Sequence, residues 1–338
     1  MKLKWLFIIA VVIVMTSGCR TAKPVMMSGK TMGTSWHIVI AEQNDVLQDN
    51  LKSLIELRLD EINGSMSLFK KESELSHFNQ TLKKGQKVCV SDDFITVYNI
   101  AKQLYTDTEG AWDGTAGPLV NLWGFGNRNV EKAVPDPEKI KSALKNVGFD
   151  KISLVDNRCL VKENPDIILD LGSIAKGFGV DAVSFFLKQR DINNFLVEIG
   201  GEVYTAGTKF GEKWKVGVKT PELSLMSQKI FNSIELKDRA IATSGDYNNF
   251  REIDGVRYSH IINPATGWPV KNSVASVSVL AGNTTLADGL ATALMVMGVE
   301  KGINLVESLK GVECLIIERG DSGMFTPHIS SGFPKKPR

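Results

Sequence analysis

Residues 195–281 constrain the fold more than any other part of the chain, because they read as one strand after another: "FLVEIGGEVYTAG", "WKVGVKT", "IFNSIEL", "AIATSG", "RYSHIIN" and "SVASVSVLA". Turn-forming residues separate these runs, so the backbone groups of each run must be met by neighbouring strands. "TSWHIVIA" (Thr34 to Ala41), "ECLIIE" and "KISLVDNRCLVKEN", a hairpin turning at Asp156-Asn157, add further strands. Helical spacing occupies the flanks. Leu47, Leu51, Leu54, Ile55 and Ile62 share a face between Asp45 and Ile62. Further helices are expected from Asp93 to Tyr105, from Pro137 to Val147 behind an Asp136 N-cap, and from Leu286 to Met297 with another after it. The predicted fold class is α+β, one domain over residues 31–332 with mixed or antiparallel sheets flanked by helices. A composition of 43% hydrophobic and 23% charged residues supplies enough apolar material for such a core.

The first eighteen residues fall outside that core. Lys2 and Lys4 precede the apolar run Trp5 to Met15, which is too short to cross a bilayer, and "TSGC" places small residues directly before Cys19. The pattern predicts export, with Cys19 as the acylated first residue of a lipoprotein. Thr16, where such boxes usually carry leucine, leaves ordinary signal-peptide cleavage as the alternative. The expected arrangement is a signal peptide over residues 1–18, a lipid-anchored tether over 19–30 and a basic tail over 333–338. The body is then expected on the extracytoplasmic (periplasmic) face of the cell membrane. Arg20 is not the aspartate that commonly signals inner-membrane retention, so either membrane of a two-membrane envelope stays open.

Loss of residues 1–18 removes two lysines and no acid from a formal charge of +2, which leaves a neutral body and no basic face for nucleic acid. Cys89, Cys159 and Cys314 have no metal-ligand spacing. At most one disulfide can join two of them, and buried or semi-buried thiols are the plainer reading.

Chemistry-bearing residues gather where predicted strands meet loops. In "DLGSIAKGFGVD", Asp170 ends an apolar strand, small residues let a ligand approach the backbone, and Lys176 stands near a helix start. That arrangement suits a phosphate, or is simply a tight turn with a solvated lysine; it is neither a P-loop nor a dinucleotide fingerprint. In "LADGLATALMVMG", Asp288 and Thr292 lie about 40° apart around a helix, off the stripe Leu286, Leu290, Leu294 and Met297. A carboxylate and a hydroxyl so placed can hold Mg²⁺ or form a solvated face, although the uncharged Gly289, Ala291 and Ala293 are unusual for the latter. "DGTAGPLVNLWGFG" repeats the pattern of acid, small residues and aromatics. Phe69 in "NGSMSLFKKESELSHFN" either walls a planar ring or belongs to the core. His260 in "YSHIINPATGWP" ends a predicted strand ahead of Pro264, Gly267 and Pro269, as a strand-end cap or as a base. His37 and His328 have no companions, and His77 is expected to be exposed.

In order along residues 29–298, "GKTMGTSW", "SMSLFKKESELSHFN", "DGTAGPLVNLWGFG", "DLGSIAKGFGVD", "VEIGGEVYTAG", "AIATSGDYNNF", "YSHIINPATGWPV" and "ADGLATALMVMG" resemble the ApbE-type FAD:protein FMN transferases. The resemblance implies a Mg²⁺-dependent enzyme that cleaves FAD, attaches FMN by a phosphoester bond to a threonine of an exported or membrane acceptor, and releases AMP. The acceptor it implies is typically a redox-pump subunit. By position it implies FAD contacts from Met32, Phe69, Ala111, Trp112, Asp113, Asp170, Lys176 and Ile262, and metal ligands from Ser173, Asp288 and Thr292. Phe69 stands where many members carry tyrosine; Ser173 stands where alanine is common, which makes its carbonyl the expected ligand. A threonine hydroxyl needs a base near neutral pH, and His260 is the candidate. Thr243 and Asp246 neighbour this set without an assigned role. Two alternatives use the same residues: an FAD pyrophosphatase, in which water replaces threonine, and a flavin-binding lipoprotein without turnover, which the metal-ligating positions disfavour.

Overall fold

A tight hairpin opens the described part of the chain: β1 (Val25–Thr31) and β2 (Thr34–Ile40) are linked by Met32 and Gly33, with φ of 50° and 72°, as a type I′ turn requires. The structure, a computed structural model, describes residues 23–42, 50–126, 133–219, 230–246, 250–320 and 324–334. The expected signal peptide, Cys19 and most of the basic tail lie outside these residues. From Val25 onward the stretch expected to be a tether is instead strand, paired residue by residue with β2.

Next come α1 (Leu51–Met66), α2 (Glu74–Asn79), β3 (Val88–Cys89), α3 (Asp92–Asp107), α4 (Gly117–Leu122) and α5 (Pro137–Leu144). Asp136 caps α5 by accepting from the Glu138 N–H at 2.9 Å. That helix stops before Val147, because the chain must reach Gly148, whose φ is 138°. The hairpin β4 (Ile152–Val155) and β5 (Cys159–Lys162) turns on Asp156 and Asn157, with φ of 51° and 56°. After α6 (Gly172–Lys188) follow β6 (Phe195–Ile199), β7 (Glu202–Ala206), β8 (Trp214–Lys219), β9 (Ile230–Leu236), β10 (Arg239–Gly245), β11 (Phe250–Ile253), β12 (Val256–Ser259) and β13 (Val274–Ala281). The described chain closes with α7 (Thr284–Met297), α8 (Val299–Ser308), β14 (Glu313–Arg319) and β15 (Phe325–Ile329).

The predicted α+β class holds, and every pairing between the described strands is antiparallel. An eight-stranded sheet runs β1-β2-β6-β7-β10-β13-β14-β15, with β3-β5-β4, β8-β9 and β11-β12 as smaller sheets. Neighbouring residues of the large sheet divide between its faces. Tyr204, Ala240 and Ala242 join the main core with α1, α3, α6 and α7, whereas Val203 and Ile241 join a second cluster with Val218, Ile234 and Leu236. Phe333, placed by sequence in the tail, packs into that second cluster.

Three local features differ from the sequence reading or were left open by it. The apolar run that ends at Asp170 is not a strand, and leads from β5 into α6 as irregular chain. "RYSHIIN" is not a continuous strand: β12 stops at Ser259, and residues 261–270 fold back on themselves, with Val270 N–H donating to Ile261 O and Asn263 N–H to Trp268 O, both at 2.9 Å. His260 therefore sits at the junction of a hairpin and a loop. Cys89 and Cys159 face each other across β3 and β5 and form a disulfide; Cys314 is a free, buried thiol.

Helices α6 and α7 meet backbone to backbone at Gly177. A Cβ there would stand 2.5 Å from Thr284 O and 2.8 Å from Thr285 Cα. Asp181 on α6 holds the start of α7, accepting from the Thr284 and Thr285 N–H groups at 2.8 Å each. This approach sets the geometry of the site described next.

Candidate active site

The loop before α4 and the turn before α6 are stitched together. The Asp170 N–H donates to Gly114 O at 2.6 Å, and Asp170 Oδ1 accepts from the Gly172 N–H at 2.7 Å. Asp113 folds onto its own loop, accepting from the Thr115 N–H at 2.7 Å and Thr115 Oγ1 at 2.6 Å. Burial pushes both carboxyls above their ordinary pKa, and those hydrogen bonds oppose the push. Trp112 is buried and its Nε1 donates to Ser173 Oγ at 3.0 Å.

Asp288 is only 3% exposed, so the solvated-face alternative fails. Gly289, Ala291 and Ala293 are buried around it, which accounts for their lack of charge. Asp288 Oδ2 accepts from the Gly177 N–H at 3.1 Å, the group that a regular helix would give to the Ser173 carbonyl. Lys176 Nζ stands 3.6 Å from Asp288 Oδ2 and 3.5 Å from Glu202 Oε1. Burial works against the Lys176 charge, but Asp288 and Glu202 outweigh it and hold the ammonium pKa above its usual value. Burial, then the Asp288 charge, pushes Glu202 up to about 8; burial raises Asp288 too, against the pull of Lys176. Thr292 Oγ1 lies 3.3 Å from Ser244 Oγ at the end of β10.

Adjoining cavities bring the sequence-predicted residues together. Ala111, Trp112, Asp113, Asp170, Ser173, His260, Ile262 and Thr292 line one of about 330 Å³. Ser173, His260 and Thr292 also line a second, of about 720 Å³, with Lys176, Glu202 and Asp288. Met32, Phe69, Asp170 and Lys176 line a third, of about 220 Å³. Phe69 is 79% exposed and forms a rim, not core. Met32 is held at positive φ by the β1–β2 turn. Cys19 lies outside the described residues.

The His260 ring lies 6.3 Å from the Phe125 ring, at 67°. The hairpin that carries it is tied down through Asp246, whose Oδ1 accepts from Arg319 Nη2 at 3.1 Å while Oδ2 stands 3.6 Å from Arg257 Nη2. Arg251 Nη1 on β11 donates to Trp123 O at 2.9 Å. Asp246, given no role by sequence, thus joins β12 to β14. Thr243 Oγ1 pairs with Ser278 Oγ at 2.7 Å, between β10 and β13. His77 is exposed, while His37 and His328 pair with Glu198 at 2.6 Å and Glu318 at 2.8 Å. Sequence reasoning missed Glu202 and Ser244; a lone glutamate after Gly-Gly at the start of an apolar run was the available hint.

Among the described residues no three His, Cys, Asp or Glu side chains cluster as a metal site. One buried carboxylate with a hydroxyl and a carbonyl fits a hard cation that takes its other oxygens from phosphate and water. Asp288, Thr292 and Ser173 line one cavity and are residues of the right type for such a set.

Residues 32–316 match the model of the ApbE family. The chain is 41% identical over 331 residues to the FAD:protein FMN transferase of Vibrio cholerae, covering 97% of each. It is 39% identical over 322 residues to that of Haemophilus influenzae, covering 94% of this chain and 92% of the relative. The solved flavin transferase ApbE from Vibrio cholerae superposes with a TM-score of 0.83 at 42% identity, over 92% of this chain and 98% of that one. The chain belongs to the ApbE family.

Proposed function

We propose that this protein is an FAD:protein FMN transferase that uses Mg²⁺ and modifies a threonine of an exported or membrane redox protein. The observation that carries the reading is the convergence of His260, Ser173 and Thr292 on the wall shared by two cavities, one of which also holds Lys176 and Asp288. His260 takes the proton from the acceptor threonine as its oxygen attacks the FMN phosphorus. The new P–O bond forms as the pyrophosphate bond breaks, and AMP leaves with the bridging oxygen. Lys176 places a positive charge beside the diphosphate, and Asp113 and Asp170 shape the flavin-side cavity. When bound, Mg²⁺ supplies charge neutralisation at the phosphates, and Asp288, Thr292 and the Ser173 carbonyl are the groups that would hold it.

We place the protein on the extracytoplasmic face of the membrane through an acylated Cys19. The leader pattern supports this, and so does the Cys89–Cys159 disulfide, a bond that persists in oxidising compartments.

The test is incubation of the purified protein with FAD and Mg²⁺, with and without an acceptor, reading AMP and flavin bound covalently to the acceptor. AMP and bound flavin only with acceptor support transfer. AMP without acceptor indicates a pyrophosphatase, and no AMP indicates a flavin carrier. His260→Ala is expected to bind FAD and transfer nothing; full transfer by that variant removes His260 from the mechanism.

A further inference from the structure

We propose that Glu202 is a positioning residue for this reaction: by sharing the Lys176 ammonium with Asp288, it keeps that ammonium from neutralising the carboxylate that takes the cation. The inference rests on the metal assignment above.

Three elements converge to make the arrangement: Glu202 begins β7, Lys176 lies in the second turn of α6 and Asp288 lies on α7. Lys176 Nζ is nearly equidistant from the two carboxyls, at 3.5 Å and 3.6 Å, and within close hydrogen-bonding distance of neither. The turn before β7 steers the lysine stem. Gly200 has φ of 62°, and a Cβ there would stand 3.2 Å from Lys176 Cδ. Glu202 is 3% exposed, and among the described residues its Oε2 has no hydrogen-bond partner. Its other oxygen, Oε1, faces the Lys176 ammonium, which is the cationic group this buried carboxyl is set against. Without it, the buried ammonium has one carboxylate left, and the attraction concentrates on Asp288.

The experiment is a double-mutant cycle on metal affinity. Mn²⁺, a hard-cation probe, is titrated into the purified full chain with FAD present, and free Mn²⁺ is read by electron paramagnetic resonance. Glu202→Gln is expected to weaken binding about tenfold or more, and adding Lys176→Met to it to restore about tenfold, against less than about threefold for Lys176→Met alone. Transfer by Glu202→Gln is expected to lose kcat with little change in KM for FAD, and to recover at raised Mg²⁺. A purely packing role moves none of these with Lys176. Additive effects of the two substitutions, or unchanged Mn²⁺ affinity in Glu202→Gln, overturn the sharing while leaving the metal site in place. Absence of Mn²⁺ binding by the unaltered protein overturns the metal assignment and the sharing with it. If Glu202→Gln does not fold, Glu202→Asp, which withdraws the charge by one methylene, carries the same cycle.

Discussion

Removal of the Cys89–Cys159 disulfide tests how the site-bearing loops are stabilised. The bond joins residues 70 apart, and the enclosed chain includes α3, α4, α5 and the cavity residues Ala111, Trp112 and Asp113. Loop-closure entropy for that length corresponds to about 4 kcal/mol at 25 °C. An unfolding entropy of about 2.1 cal/mol/K per residue gives about 0.6 kcal/mol/K for a domain of roughly 300 residues, so Tm is expected to fall by about 7 °C. The constraint acts on the unfolded chain, so FAD binding by the folded variant at 25 °C should stay within about twofold. The assay is calorimetric melting of Cys89→Ala with Cys159→Ala against the oxidised parent, with FAD affinity measured on the same samples. A fall in Tm below about 2 °C refutes the entropic argument. Loss of FAD binding in a variant that still melts cooperatively refutes the claim that the bond leaves the native site unchanged.

Gly177→Ala puts a methyl against the backbone of Thr284, and overpacking of this kind costs about 3 kcal/mol; it should also part Ser173 on α6 from Asp288 on α7, so metal affinity and transfer should fall together, measured by melting and Mn²⁺ titration. Lys162 is 2% exposed and donates to the carbonyls of Asn79, Pro165 and Ile167 at 3.2, 2.9 and 3.1 Å. Lys162→Met leaves those acceptors unpaired and should cost about 3 kcal/mol in urea unfolding. Glu202 has a folded pKa of about 8 against an ordinary 4.5, so its contribution to stability is full below 4.5 and is lost as pH rises to 8. The metal-free parent should therefore lose up to about 1.4 kcal/mol per pH unit more than Glu202→Gln within that window, and parallel stability curves would contradict this. Burial raises Cys314 to about 12, so iodoacetamide at pH 8 should alkylate it only after unfolding, as read by mass spectrometry.

What the sequence determined by itself has local causes. Asp156-Asn157 turns a hairpin because both residues accept positive φ, and Asp136 starts a helix because its carboxylate meets a free N–H. The order of eight short blocks was enough to indicate the ApbE family and several of the residues that line the cavities. Tertiary structure decided the rest. Val25 onward became an edge strand through pairing with β2, and "RYSHIIN" broke at Ser259 because the loop after it satisfies its own backbone. Cys89 found Cys159, out of three candidate thiols, through the β3–β5 register. Glu202 became a partner of Lys176 only when β7, α6 and α7 converged. Periodicity and capping act within a few residues, so sequence shows them; charge sharing and strand register act between residues that only the packed fold makes neighbours.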